Sequence, residues 1–353
     1  MMVDADFPGG NILVDALDGD RLLVHQDLRD TEGDWFYWAF RVRGAAGRTL
    51  DVTFTGSDPF TSRGPAVSDD GGASWRWLGP VDGRRFTYHV PRGAEDVRFA
   101  MTIPYTQADL DAWLAPQDDV ARGVLCTSRA GRPVELLRWS APAPRGRVLL
   151  TARHHACETM ASFVLEGFLA EAIAHPTVDV VAVPFVDKDG VEQGDQGKNR
   201  RPRDHNRDYD DQPLYPEVAA VMALDGPFDL ALDLHCPWIR GEGNEHIYFV
   251  GGEDEANWRR VLRLAAALEA AEHGPLPYAA SHGLPFGQGW NTAANYGGGV
   301  SFTTAARNLP GRPVSASLEF PYALVDGVET SPDSARRFGR GLARAVRDWL
   351  GDR

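Results

Sequence analysis

Four stretches of this sequence carry residues whose types and spacing suit hydrolytic chemistry. The first is His154-His155-Ala156-Cys157-Glu158. His155 and Glu158 stand three apart, so at a helix start both side chains lie on one face. An imidazole nitrogen and a carboxylate oxygen there can reach one zinc ion, about 2.0–2.2 Å from each. The second is the apolar run FDLALDLHC, which ends near His235. A histidine at the end of a buried strand points into the crevice beyond the sheet. Two His and one Glu make the three-ligand set of a catalytic zinc site, with a fourth position left for water. The third is SASLEFPY, which places Glu319 inside an apolar strand. A carboxylate there is costly unless it has a partner or a task. Beside an activated water it can serve as general base, then as proton donor. The fourth is the loop DKDGVEQGDQGKNRRPRDHNRDYDD. It interleaves Lys198, Arg200, Arg201, Arg203 and Arg207 with Asn199, Asp204 and Asn206. Such a focus of guanidinium groups suits a clamp on a carboxylate. Taken singly, each piece also fits an ordinary role: a loop His, a satisfied core His, an ion-paired Glu, a solvated charged loop.

The elements that must hold these residues read as two kinds. The first third is β-structure. Trp35–Gly44, Arg48–Gly56 and Arg84–Val90 are rich in aromatic and β-branched residues, and Asp-Gly in Ser68–Trp75 marks a hairpin. This predicts an all-β antiparallel sandwich over residues 1–118, closed by a short helix beginning near Thr106. Residues 119–353 read as an α/β catalytic domain. A hairpin around Gly131 comes first. Strands are expected at Arg147–Arg153, Val178–Asp187, Phe228–Cys236 and Val314–Tyr322. Helices follow Glu158, precede Gly274 and close the chain over Ser334–Leu350. That alternation predicts a mixed, mostly parallel sheet with helices on both faces. Ligands on such sheets bind at the C-terminal strand ends, where all four stretches fall.

Composition narrows the function. Among 353 residues, 36 Lys and Arg face 50 Asp and Glu, a net charge of -14. So acidic a chain is a poor nucleic-acid or anionic-membrane binder, because phosphate neutralisation needs positive surface. Cys126, Cys157 and Cys236 are too few, and odd in number, for a disulfide framework. No stretch approaches the roughly 18 apolar residues of a membrane helix. The N-terminus lacks the basic-then-apolar order of a signal peptide. The cytoplasm is the expected compartment. No prosegment is apparent, and the chain is expected to act as made.

In their order, the pieces resemble the zinc metallocarboxypeptidase family. H-x-x-E is followed by a D-G-V loop leading to D-x-N-R, a strand-terminal His and a late strand with Glu. The form TARHHACETMASFVLEGFL resembles the cytosolic carboxypeptidase branch. So does the first third, with WFYWAFRV, PAVSDDGGASW and FAMTIPYTQADL. The resemblance implies that His155, Glu158 and His235 hold one zinc ion per chain. It makes Asp204 the acceptor behind His155, and gives Asn206 and Arg207 the substrate carboxylate. Arg200 would stabilise the oxyanion, and Glu319 would be the general base and acid. Tyr296 matches the family's mobile Tyr, with the following glycines Gly297–Gly299 as its hinge. Arg307 is a candidate for the specificity pocket, with Arg312 as competitor, and would favour an acidic last residue.

This chain also departs from the family pattern. Asp187-Lys188-Asp189-Gly190 stands where N-P-D-G is common, and His205 replaces a Leu. The gap from Arg200 to Asn206 is short, so Lys198, Arg201 or Arg203 could take the oxyanion role. Cys157 and Cys236 read as buried small residues, with metal ligation or oxidation as the alternative. The reading is a zinc-dependent carboxypeptidase acting on a peptide or protein C-terminus, with neither nucleic acid nor membrane as partner. The alternative is a zinc amidohydrolase that deacylates a small acylated amino acid or metabolite.

Overall fold

Alternation of apolar and polar residues builds the first third of the chain. In Thr49–Phe54, Leu50, Val52 and Phe54 are fully buried while their neighbours reach solvent. Such strands need a second apolar layer. The computed structural model, which describes residues 1–353 apart from Glu242, Gly298 and Arg353, supplies it as two facing sheets. One sheet orders the strands Met2–Asp4, Ala39–Arg43, Asp96–Ala100, Ala66–Ser68 and Arg76–Trp77. The other orders Leu13–Asp18, Arg21–His25, Thr49–Phe54 and Arg85–His89. Aromatic rings fill the space between them. Phe40 meets Phe99 at 5.4 Å, Phe99 meets Phe86 at 5.2 Å, and Trp38 meets Phe54 at 4.7 Å.

The expectation of a wholly antiparallel region needs correction. Arg21–His25 and Thr49–Phe54 pair in parallel. The intervening segment, Gln26 to Arg48, contributes Ala39–Arg43 to the opposite sheet, so the chain crosses between layers before returning.

After the helix Gln107–Leu114, a seven-stranded sheet begins at Ala121. Its spatial order is Ala121–Thr127, Pro133–Trp139, Asp179–Val183, Arg147–Ala152, Leu230–His235, Val314–Glu319 and Tyr248–Val250. The three pairings among the four inner strands from Asp179–Val183 to Val314–Glu319 are parallel; the three outer pairings are antiparallel. The sheet is therefore mixed, with a parallel centre and antiparallel edges, rather than mostly parallel.

Both faces are covered. Val148, Leu150, Leu230 and Leu232 share a core with Phe163, Phe168, Leu264 and Phe338 of the helices Met160–Ala174, Glu255–Ala270 and Pro332–Gly351. Leu149, Val181 and Ala231 point the other way, against Val218, Val221, Phe302 and Ala305. This is the two-residue periodicity of a strand buried on both sides. The first core continues into the aromatic layer of the N-terminal sheets, joining Trp38 and Phe99 to the seven-stranded sheet in one apolar mass. Since the inner strands run parallel, Ala152, Val183, His235 and Glu319 all end at one edge.

Candidate active site

The turn after Arg147–Ala152 is held by an unusual arginine. Arg153 has φ of 61° and is 2% exposed. Its guanidinium donates to Ala156 O at 2.9 Å, Tyr105 O at 3.0 Å and Ser162 Oγ at 3.1 Å. A side chain in the left-handed region costs of order 1–3 kcal/mol and persists where its surroundings dictate it. Here it curls the chain so that His154, His155 and Glu158 face inward. A second loop closes against this turn. Gly197 has φ of 75°, and a Cβ on it would lie 2.2 Å from Ala156 N, so only glycine fits. Gln196 donates to Tyr37 O and accepts from Tyr37 N, at 2.7 and 2.6 Å, so the N-terminal region braces that loop.

Three expected ligands converge. His155 Nδ1 lies 3.0 Å from Glu158 Oε1, and His235 Nδ1 lies 2.7 Å from Glu158 Oε2. The ligand atoms of all three lie within 4.8 Å of one another. Each ring turns its other nitrogen to an acid: His235 Nε2 is 2.6 Å from Asp233, and His155 Nε2 is 3.8 Å from Asp204. Carboxylates behind imidazoles orient metal-binding histidines and raise their basicity. His154, Asp233 and His235 form a second possible donor set. There His154 uses both nitrogens, on Asp233 at 2.8 Å and on Tyr209 Oη at 2.6 Å. Asp233 also accepts from Thr151 Oγ1 at 2.8 Å. That set is already satisfied, so His155, Glu158 and His235 fit an ion better.

Glu319 stands beside this group. It is the register partner of His235 on the neighbouring parallel strand. Among the described residues its Oε2 is buried with no hydrogen-bond partner, whereas Asp204 Oδ1 faces His155 Nε2. Buried polar atoms are almost always paired, so an unpaired acceptor beside three ligand side chains fits a group that receives a proton from a bound water. Burial pushes the Glu319 carboxyl above the ordinary range, and nearby Glu158 adds to the shift. Burial opposes charge on Glu158 too, yet Lys198 and the two imidazoles hold its carboxyl well below that range. Lys198 Nζ sits 2.6 Å from Glu158 Oε1, 3.2 Å from Cys236 O and 5.4 Å from the Trp35 ring centre.

The expected clamp residues lie at the same edge. Asn206 accepts from Phe302 N at 2.8 Å, and its Nδ2 is 3.1 Å from His235 Nε2. Arg207 donates to Asn206 O at 2.9 Å and lies 4.9 Å from the Tyr296 ring centre. Its other terminal nitrogen donates to Asn295 O at 3.4 Å, and among the described residues Arg207 makes no ion pair with a carboxylate. The Tyr296 hydroxyl donates to Asn291 Oδ1 at 2.7 Å. Gly297 after it has φ of 57°, while Gly298 of the expected hinge lies outside the described residues.

Two expected contacts need correction. Arg200 does not face the cluster: its guanidinium reaches Asp30 at 2.9 Å, Asp187 at 2.8 Å and Asp195 at 2.6 Å. Asp187 stands at the Asn position of N-P-D-G, and its carboxylate is one of the three that hold Arg200 away from the cluster. It also caps the short helix Lys188–Gln193 by accepting from Gly190 N at 2.9 Å, so part of the expected loop is helical. His205 fills its Leu position as a buried ring stacked 3.7 Å from Tyr215. Arg307 is partly exposed and paired at 2.6 Å with Asp254, the cap of Glu255–Ala270, so its charge is already matched. Arg312 is exposed at a turn with φ of 48°.

The sequence pattern assigns no role to Asp233, His154 or Tyr209. The signal for Asp233 was present: two residues before His235 on one strand, it shares that residue's face. His154 and Tyr209 meet only through tertiary contact. The cysteines are free. Burial pushes the Cys157 thiol up to about 12, and its Sγ is 3.5 Å from Tyr322 Oη, so it is a neutral packed sulfur.

This architecture has solved counterparts. A metallo-carboxypeptidase from Burkholderia cenocepacia superposes with a TM-score of 0.77 over 99% of both chains, at 21% identity. The chain has the metallo-carboxypeptidase fold. Its sequence is 28% identical over 391 residues to an uncharacterized protein of Zymomonas mobilis, covering 99% of this chain and 97% of that one. It is also 31% identical over 153 residues to cytosolic carboxypeptidase 3 of Mus musculus. That match takes in 36% of this chain and only 15% of the mouse protein. No family model matches the chain. The resemblance to metallo-carboxypeptidases therefore rests on fold, and that to cytosolic carboxypeptidases on partial sequence similarity. Among the described residues no helix is long and apolar enough to cross a membrane.

Proposed function

We propose that this protein is a zinc metallocarboxypeptidase that removes C-terminal residues from peptides. One observation carries the reading: ligand side chains, a carboxyl with an unpartnered buried oxygen, and an unpaired guanidinium converge at a single sheet edge. His155, Glu158 and His235 would hold one ion, and zinc suits two imidazoles and a carboxylate. Bound there, zinc supplies Lewis acidity, which acidifies a water and polarises a carbonyl.

The other steps belong to residues of this chain. Glu319 takes the proton from the attacking water. Its raised pKa brings it nearer neutrality, where one carboxyl can accept a proton and then give it to the leaving amine. Arg207 receives the terminal carboxylate through two parallel N–H donors. Asn206 stands beside it, and the Tyr296 ring covers the guanidinium. Demand for a free carboxylate makes the enzyme an exopeptidase. Arg200 is bound to three acids away from the cluster, so Lys198, which pairs with Glu158 among the ligands, is the cation that would stabilise charge on the carbonyl oxygen.

Arg207→Ala tests the clamp. It is expected to raise KM for free-carboxylate peptides about 10–100-fold, the loss of charge-assisted hydrogen bonds, with a smaller change in kcat. An equal loss on C-terminally amidated peptides would remove the clamp from the account.

A further inference from the structure

A second histidine–carboxylate cluster lies apart from these residues. His246 precedes the edge strand Tyr248–Val250, His282 ends the turn Ala280–His282, and Asp326 sits in the hairpin between Leu324–Val325 and Val328–Glu329. His246 Nδ1 is 2.5 Å from Asp326 Oδ1. The two imidazoles stack with centres 3.9 Å apart and planes at 30°. Ligand atoms from all three residues lie within 4.8 Å of one another. The Nδ1 atoms of His246 and His282 are both buried and lack a properly directed hydrogen bond. Among the described residues Asp326 makes no ion pair with a lysine or arginine.

The backbone fixes these groups in place. Asp326 and Gly327 have φ of 45° and 83°, both positive, as in a type I′ hairpin turn. Asp326 N donates to Glu245 O at 2.9 Å, tying the hairpin to the residue before His246. Just after His282, Leu284 bonds across to Phe249 and Gly251 at 2.9 and 2.8 Å. Two stacked imidazoles with buried, poorly satisfied nitrogens beside one carboxylate form a donor set that a divalent transition metal completes.

We propose that His246, His282 and Asp326 form a second metal site, for a divalent ion of the zinc or cobalt class, which staples the segment leading to Tyr296 onto the sheet edge. The ion joins three chain segments that otherwise meet through a few hydrogen bonds. It takes no part in the hydrolysis.

The test uses the full chain, stripped with chelator and dialysed against micromolar Co2+ or Zn2+, with bound ions counted per chain. Asp326→Asn is the main variant, because Asn tolerates the positive φ of the turn and the site is at the surface. His282→Ala is the second. Wild type is expected to bind one ion more than either variant. Cobalt is expected to raise its melting temperature further than theirs, and the peptide turnover of the variants should match wild type. The difference of one ion holds whether or not His155, Glu158 and His235 bind metal, so failure of the catalytic reading would be seen separately. Equal ion counts in wild type and in both folded variants would overturn the proposal.

Discussion

Two buried clusters of charge flank the loop from Asp187 to Arg207, and they differ in whether their atoms are satisfied. Around Arg200, the Nε and both terminal nitrogens each meet a different carboxylate, on Asp30, Asp187 and Asp195. Beside Glu158, Glu319 Oε2 is buried without a partner among the described residues. The first cluster is closed, and its charges hold the loop. The second is open at the point where an ion and a substrate would enter. Lys198 and Arg200, two residues apart on one loop, fall on opposite sides of this division. A basic residue near a site is thus assigned by which acids it faces, not by its place in a motif.

The largest expected effect is on the open side. Glu319→Gln is expected to lower kcat roughly 10²–10⁴-fold, the span of general acid–base catalysis, with metal content and melting temperature kept. Loss of metal together with activity would mean that Glu319 is a ligand and not a base.

On the closed side the effect should appear as stability. Arg200→Ala leaves buried carboxylates uncompensated and is expected to destabilise the chain by about 3–5 kcal/mol in urea unfolding. An unchanged midpoint, with turnover lost, would restore Arg200 to catalysis and erase the contrast.

A smaller effect is expected behind the ligands. Asp233→Asn weakens the orientation of His235 and should reduce metal affinity about 10–100-fold in competition with a chelator. Unchanged affinity would mean that His235 is held by packing alone.

The smallest effect concerns an unpartnered oxygen remote from the open cluster. Glu217 Oε2 is also buried and unpaired, and burial raises its carboxyl to about 7. Because the folded pKa exceeds the unfolded one, the folded chain binds more protons between about pH 4.5 and 7. Its destabilising contribution is therefore present above pH 7 and gone below pH 4.5. Glu217→Gln should stabilise the protein by about 1–2 kcal/mol at pH 8, after discounting for screening, and not at pH 4.5, leaving turnover intact. A loss of turnover at constant stability would extend the catalytic group to Glu217.

Much of the open cluster was legible because its residues sit at ends of strongly apolar strands. Arg147–Ala152, Leu230–His235 and Val314–Glu319 announce themselves by buried runs, so His155, Glu158, His235 and Glu319 fall at one edge once the strands are drawn parallel. The closed cluster was not legible, because its carboxylates come from Asp30, Asp187 and Asp195, and Asp30 belongs to the first third of the chain. Spacing within one loop cannot reveal such a partner. The strand Leu13–Asp18 was missed because all six of its residues are exposed and leave no burial pattern. Tyr248–Val250 was missed because three residues carry too little periodicity. Arg307 looked like a pocket residue from its place between Tyr296 and Glu319, but its ion pair with Asp254 is a tertiary fact.

The central claim is cleavage at a free C-terminus by the open cluster. The most direct measurement is hydrolysis of matched peptides, with free and with amidated C-termini, by metal-verified protein alongside Glu319→Gln. The account predicts stepwise release of C-terminal residues from the free-carboxylate peptides alone, and almost none from the variant. Equal cleavage of the amidated peptides, or no release from any peptide by fully metal-loaded protein, would contradict it.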